Sequence, residues 1–161
     1  MIFVTVGSQL PFDRLIKTID QWAETECKSQ KVFAQIGKSE YKPKNIEFCQ
    51  NMSPDDYNAY FEKADMIVAH AGMGTIISAL EHGKPLIILP RLACNGEHRN
   101  DHQLATSKHF ANFENIYVVS NESELLITMS ELVKQDILST KNELQEVSKE
   151  LISVIKQFIM T

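Results

Sequence analysis

Residues 66–80, Met-Ile-Val-Ala-His-Ala-Gly-Met-Gly-Thr-Ile-Ile-Ser-Ala-Leu, decide how this chain folds. A short apolar run at 66–69 passes through Gly72 and Gly74 into a segment that continues to Leu80 as a helix, so the stretch reads as strand, tight turn, helix start. Such a turn aims backbone N–H groups at whatever lies above the strand. Its glycines allow close approach, and the positive end of the helix macrodipole attracts an anion such as a diphosphate. Thr75 offers a hydroxyl as a candidate helix cap. A glycine turn alone is weak support for a phosphate site, because many strand-to-helix turns use glycine only for geometry.

Outward from this unit the same grammar repeats. Apolar, β-branched runs recur at 2–6, 32–36, 46–49, 66–69, 86–89 and 116–119, most of them separated by segments of helical periodicity. Alternating strands and helices imply a parallel sheet, and strands apolar on both sides imply helices on both faces. The expectation is one Rossmann-like α/β domain over residues 1–161, with a mostly parallel six-stranded sheet. Asp13 is placed to cap a helix carrying Leu15, Ile16, Ile19 and Trp22, and Ser53-Pro54-Asp55-Asp56 opens a helix ending near Ala64. Residues 140–160 carry Leu144, Val147, Leu151, Val154, Ile155 and Phe158 at spacings of a C-terminal amphipathic helix, suited to packing on the domain or on a partner.

The first strand also ends in a glycine turn, Thr5-Val6-Gly7-Ser8-Gln9, which opens at the same carboxyl edge where α/β sheets place ligands. After the fifth strand comes a polar loop, Pro90-Arg91-Leu92-Ala93-Cys94-Asn95-Gly96-Glu97-His98-Arg99-Asn100-Asp101-His102-Gln103, again over that edge. There Glu97 or Gln103 can bind sugar hydroxyls and Arg91 a phosphate. The GxGxxG and Walker signatures are missing, which gives a nicotinamide enzyme or a P-loop NTPase little support. His98 and His102 share a helical spacing, but HRNDH is not HExxH and no third ligand is evident, so no metal site is expected. His82, His109 and the Asp55-Asp56 pair read as surface residues.

Composition narrows the class. With 43% hydrophobic and 23% charged residues in 161, one core is expected. A net charge of -5 and the lack of a basic run argue against a nucleic-acid partner. Cys27, Cys49 and Cys94 are odd in number and widely spaced, which fits reduced thiols and a cytoplasmic setting better than disulfides or zinc. No apolar run approaches the ~20 residues of a membrane helix, and the N-terminal run reads as a strand rather than a signal peptide.

Together, Val-Thr-Val-Gly at 4–7 with Phe-Asp-Arg-Leu at 12–15, HAGMGT at 70–75, GKPLIILPR at 83–91 and GEHRNDHQLA at 96–105 resemble the C-terminal domain of glycosyltransferase family 28. Within it they look like small donor-binding subunits of two-component capsular and exopolysaccharide glycosyltransferases, relatives of the eukaryotic dolichol-linked N-acetylglucosaminyltransferase. The match covers residues 1 to about 120. The resemblance implies half of a GT-B enzyme that takes a UDP-sugar as substrate, needs no cofactor, and inverts at the anomeric carbon. It also implies a membrane-associated partner subunit that supplies the other half, recruits this one to the inner face of the membrane, and contacts a polyprenyl-linked acceptor. A noncatalytic accessory subunit is the competing reading, opposed by the glycine turns and the polar loop.

On this resemblance residues 48–52, including Cys49 and Met52, pass near the uracil. Gly72, Met73, Gly74 and Thr75 meet the diphosphate, and Asp101, His102 and Gln103 face the donor sugar. Gly7, Ser8, Arg91, Glu97, His98 and Asn100 complete the candidate donor contacts. Single-chain relatives hold the ribose with a Glu where this chain has Ser78; Glu81 is displaced by three positions, and Glu97 or a partner residue is the expected substitute. The general base comes from the other domain in those relatives. His70 is the candidate within this chain, its alternative role being to orient the glycine turn.

Overall fold

The computed structural model describes residues 1–26 and 30–135; the amphipathic segment expected at 140–160 lies outside the described residues. Six strands form one sheet: β1 (Ile2–Thr5), β2 (Val32–Gln35), β3 (Glu47–Cys49), β4 (Met66–Ala69), β5 (Leu86–Ile88) and β6 (Ile116–Val118). Among the described residues five α-helices connect or follow them: α1 (Asp13–Glu26), α2 (Pro54–Lys63), α3 (Met73–Glu81), α4 (His102–Phe110) and α5 (Glu122–Lys134). The strand order is β3-β2-β1-β4-β5-β6 and every pairing is parallel. The expected "mostly parallel" sheet is therefore wholly parallel.

The strand pleat distributes the apolar residues to two cores. Alternate residues of a strand point to opposite faces. Ile2, Val4 and Val6 join Met66, Val68, Ile87 and Leu89 under α1 and α5, where Trp22 and Leu125 pack. Phe3, Ile67, Ala69, Leu86 and Ile88 take the other face with Phe61, Ile76 and Phe110. Burial on both faces explains why these strands read as continuous apolar runs.

Local chemistry sets the helix ends. Ser53 caps α2 by accepting from the Asp56 N–H at 3.1 Å, with Pro54 in the first turn. Asp13 lies inside the first turn of α1, not before it, and its carboxylate accepts from the Ser39 hydroxyl. Helix α5 went unrecognised in the sequence, although its signal is there: Asn121 caps it by accepting from the Glu124 N–H at 2.9 Å. That helix fills the face opposite α3, packing on α1 and β5.

Strand order reverses between β1 and β4, which lie side by side and both start a connection to opposite flanks. A crevice opens outside the carboxyl ends of two such strands, because their connections diverge. Those ends carry the Gly7 and Gly72–Gly74 turns.

Candidate functional site

Two adjoining clefts occupy this crevice. The first, about 410 Å³, is lined by residues from the β1 and β4 turns, by Asn51 and Met52 after β3, and by Ser53, Pro54 and Tyr57 at the start of α2. The second, about 350 Å³, is lined by Gly7 to Leu10, by His70, Gly72, Gly74 and Thr75, and by Arg91, His98 and Gln103. Gly7, Ser8, Gly74 and Thr75 line both, so the two glycine turns form the ridge where the clefts meet. The turn at 72–75 and the polar loop thus converge on one crevice. Among the described residues, no Asp or Glu lines either cleft, and no group of three His, Cys, Asp or Glu is placed to hold a metal.

The donors available to a ligand follow from which amides are already used. Gly72 caps α3 without any side-chain bond, and the first intrahelical bond runs from the Ile76 N–H to the Gly72 carbonyl at 3.1 Å. The N–H groups of Met73, Gly74 and Thr75 precede that bond and face the ridge, as first-turn amides must. The Gly72 N–H is taken by the His70 carbonyl at 2.9 Å, and the Gly7 N–H by the Thr5 hydroxyl at 3.2 Å. Gly72 and Gly7 therefore shape the ridge, while α3 supplies its donors. Thr75 sits in the helix rather than at its cap, its hydroxyl 3.3 Å from that of Tyr57.

A buried polar network holds the first turn beneath the ridge. Thr5 donates to Gln35 Oε1 at 2.8 Å, and Gln35 Nε2 donates to the carbonyls of Gly7 and Gln50, each at 3.2 Å. Arg91, 3% exposed, donates through one guanidinium nitrogen to the carbonyls of Val6 (2.7 Å) and Leu10 (2.6 Å). Burial lowers its pKa to about 10, against the pull of Glu97, so it stays cationic at neutral pH. Expected as a phosphate ligand, Arg91 lines the second cleft but spends those bonds on the glycine turn, leaving Nε buried without a partner.

The His70 ring lies where the two turns come closest. A Cβ on Gly7 would fall 2.7 Å from its Cε1, and one on Gly72 only 2.3 Å from its Nε2. Burial, then the nearby Arg91 and His98, lower its pKa to about 4; the Thr5 backbone opposes this only in part, and Nδ1 has no hydrogen-bond partner. The ring is neutral at pH 7. Because folding lowers this pKa, the unfolded chain takes the proton first as pH falls, so stability is full above about pH 6.5 and declines from there toward pH 4. Between pH 7 and pH 5 this contributes a loss of about 2 kcal/mol. Urea unfolding of His70→Asn should show a pH dependence weaker by about that amount; an unchanged dependence would refute a neutral buried ring.

The remaining expected contacts divide. Met52, His98 and Gln103 line the clefts; Gln103 Oε1 accepts from the Arg91 N–H at 3.0 Å, which leaves Nε2 as its donor. Glu97 does not reach the crevice. Its two oxygens take Arg14 Nε at 2.6 Å and NH2 at 2.9 Å, and Oε2 also accepts from the Leu92 N–H at 2.8 Å. Asn100 and His102 lie outside both clefts, bonded locally as Asn100 Oδ1 accepts from the His102 N–H at 3.2 Å. Asp101 accepts from the Ala93 N–H at 3.0 Å. Cys49 ends the edge strand β3, and the Met73 side chain packs into the core, so neither side chain lines a cleft. Ser78 does line the first cleft, as does Tyr57, which the sequence reading passed over. Tyr57 was findable, since a helix following β3 must present its first turn to the same edge.

The whole architecture has known counterparts. Residues 1–158 match the glycosyltransferase family 28 C-terminal domain. The human UDP-N-acetylglucosamine transferase subunit ALG13 is 31% identical over 117 residues, 66% of this chain and 10% of that protein; the Candida albicans subunit of the same name is 34% identical over 70 residues, 44% of this chain and 22% of that one. This chain thus spans a tenth to under a quarter of the length of these relatives. A solution structure of ALG13 superposes with a TM-score of 0.61 at 14% identity, covering 98% of this chain and 93% of that one. Acinetobacter baumannii MurG gives 0.64 at 17% identity, with 96% of this chain on 49% of that one. At such identities the likeness is one of fold, and the half coverage of the longer chain is that of one domain in a two-domain GT-B architecture.

Proposed function

Because the chain belongs to the glycosyltransferase family 28 C-terminal domain family, we propose that it is the donor-binding subunit of a UDP-sugar-dependent glycosyltransferase. The observation that carries this reading is the ridge: uncapped amides of α3 between two clefts to which, among the described residues, no carboxylate contributes. A diphosphate seats on those amides, with the nucleoside toward Met52 and Tyr57 and the sugar toward His98 and Gln103. Hydroxyls of Ser53, Tyr57 and Ser78 line the nucleoside side, where single-chain relatives use a carboxylate on the ribose.

The chemistry follows from that placement. An acceptor hydroxyl attacks the anomeric carbon from the face opposite UDP, the bond to the diphosphate oxygen breaks, and its electron pair stays on the leaving group. Preorganised amides at a helix N-terminus stabilise that charge without a metal. The acceptor proton needs a base whose pKa suits neutral pH. His70, near 4 and wedged between glycines, is poorly matched, so we assign the base to a partner subunit that also binds the acceptor. The name of the relatives, a transferase subunit, supports a two-component enzyme. N-acetylglucosamine is accordingly the first donor sugar to test. A membrane-associated partner, a polyprenyl-diphosphate-linked acceptor, a cytoplasmic site of action and a role in capsule or exopolysaccharide synthesis are proposed from the motif resemblance.

Calorimetric titration with UDP tests the reading. Binding by this chain, alone or with its partner, is expected; no binding in either setting would favour an accessory subunit that only enhances a partner transferase.

A further inference from the structure

The polar loop is held by its own side chains. Three successive amides, of Arg91, Leu92 and Ala93, donate to Gln103, Glu97 and Asp101 at 3.0, 2.8 and 3.0 Å. Of these three acceptors only Glu97 also reaches a distant element. Its carboxylate meets the guanidinium of Arg14, in the first turn of α1, through two prongs of 2.6 and 2.9 Å. Arg14 adds a bond to the Pro90 carbonyl at 2.9 Å, where the loop leaves β5, and touches Glu122 of α5 at 3.4 Å. Both partners are largely buried, their side chains 13% and 11% exposed. Below them the Phe12 ring carries Arg14 on it at 5.3 Å and Arg91 at 5.0 Å, so the same cluster abuts the arginine that holds the first glycine turn.

A two-pronged arginine–carboxylate pair fixes direction as well as distance, which a lysine or a single hydrogen bond does not. Anchored thus at Pro90, Leu92 and Glu97, the loop presents His98, next in sequence, and Gln103, to the second cleft. We propose that Arg14, which lines neither cleft, is a positioning residue that sets the sugar-side loop through Glu97, so that recognition of the donor sugar depends on it while recognition of the nucleotide does not. This rests on reading the second cleft as the sugar end of the donor site.

The test uses the full chain with Arg14→Gln, and Glu97→Gln as a second variant that keeps an acceptor for the Leu92 N–H. Amide hydrogen exchange in residues 91–101 should quicken roughly tenfold or more in both, with exchange in β1 and β4 unchanged. UDP affinity should stay within about twofold of the parent, while the affinity gained by UDP-N-acetylglucosamine over UDP is lost. Parent-like exchange in the loop, or equal weakening of UDP and UDP-N-acetylglucosamine, overturns the proposal. Should the parent chain bind neither ligand, alone or with its partner, the donor-site reading fails, and with it the sugar role; the exchange result then still decides whether the pair holds the loop.

Discussion

Gly74→Val is expected to give a folded protein that has lost UDP binding by about a hundredfold or more, or some 3 kcal/mol. A Cβ at Gly74 meets no heavy atom within 4 Å, so a side chain can start there without a clash at its first atom. That space is the ridge shared by both clefts, and a branched side chain would stand over the amides of Gly74 and Thr75. Near a helix start, exchanging Gly for Val changes stability by no more than about 1 kcal/mol, since the residue gains helix propensity relative to glycine. Urea unfolding and calorimetry on the same sample separate the two effects. A variant that is folded and binds UDP with parent affinity would show that the diphosphate lies elsewhere.

The fold was open to reading because its signals are local. Strands buried on both faces announce themselves as apolar runs, and Ser53 before Pro54 marks a helix start without reference to anything distant. The crevice was legible for a related reason: glycine turns after the first and fourth strands share an edge in any parallel sheet that places those strands together. Individual polar side chains were not legible, because the competition for each is settled by long-range partners. Glu97 and Arg14 are 83 residues apart, and no spacing rule couples them. Arg91 is drawn to carbonyls 85 and 81 residues away. A loop rich in charged and amide groups over a cleft invites reading every one of them as a ligand. Here the loop's own backbone N–H groups, which would otherwise be left unpaired, claim Glu97, Asp101 and one end of Gln103.

The three ridge glycines are glycine for different reasons, and the difference yields the second large effect. Gly7 has φ +76, a conformation that disfavours any side chain. Gly72 has φ -86 and ψ 130, which alanine adopts freely, so backbone preference does not explain it. Its reason is His70: a Cβ would lie 2.3 Å from Nε2 and 2.9 Å from Cε1 of a ring whose same edge already faces Gly7. Gly72→Ala is therefore expected to cost about 1–3 kcal/mol through overpacking, although a single methyl is added. Removing the ring should relieve it. The cost of Gly72→Ala in a His70→Ala background should shrink by about 1 kcal/mol or more, the coupling energy of a double-mutant cycle read from urea unfolding. Strictly additive costs would mean that the ring does not space the two turns. Coupling would assign His70 the task of spacing the β1 and β4 turns, a task that a neutral, poorly basic imidazole performs better than it would proton transfer.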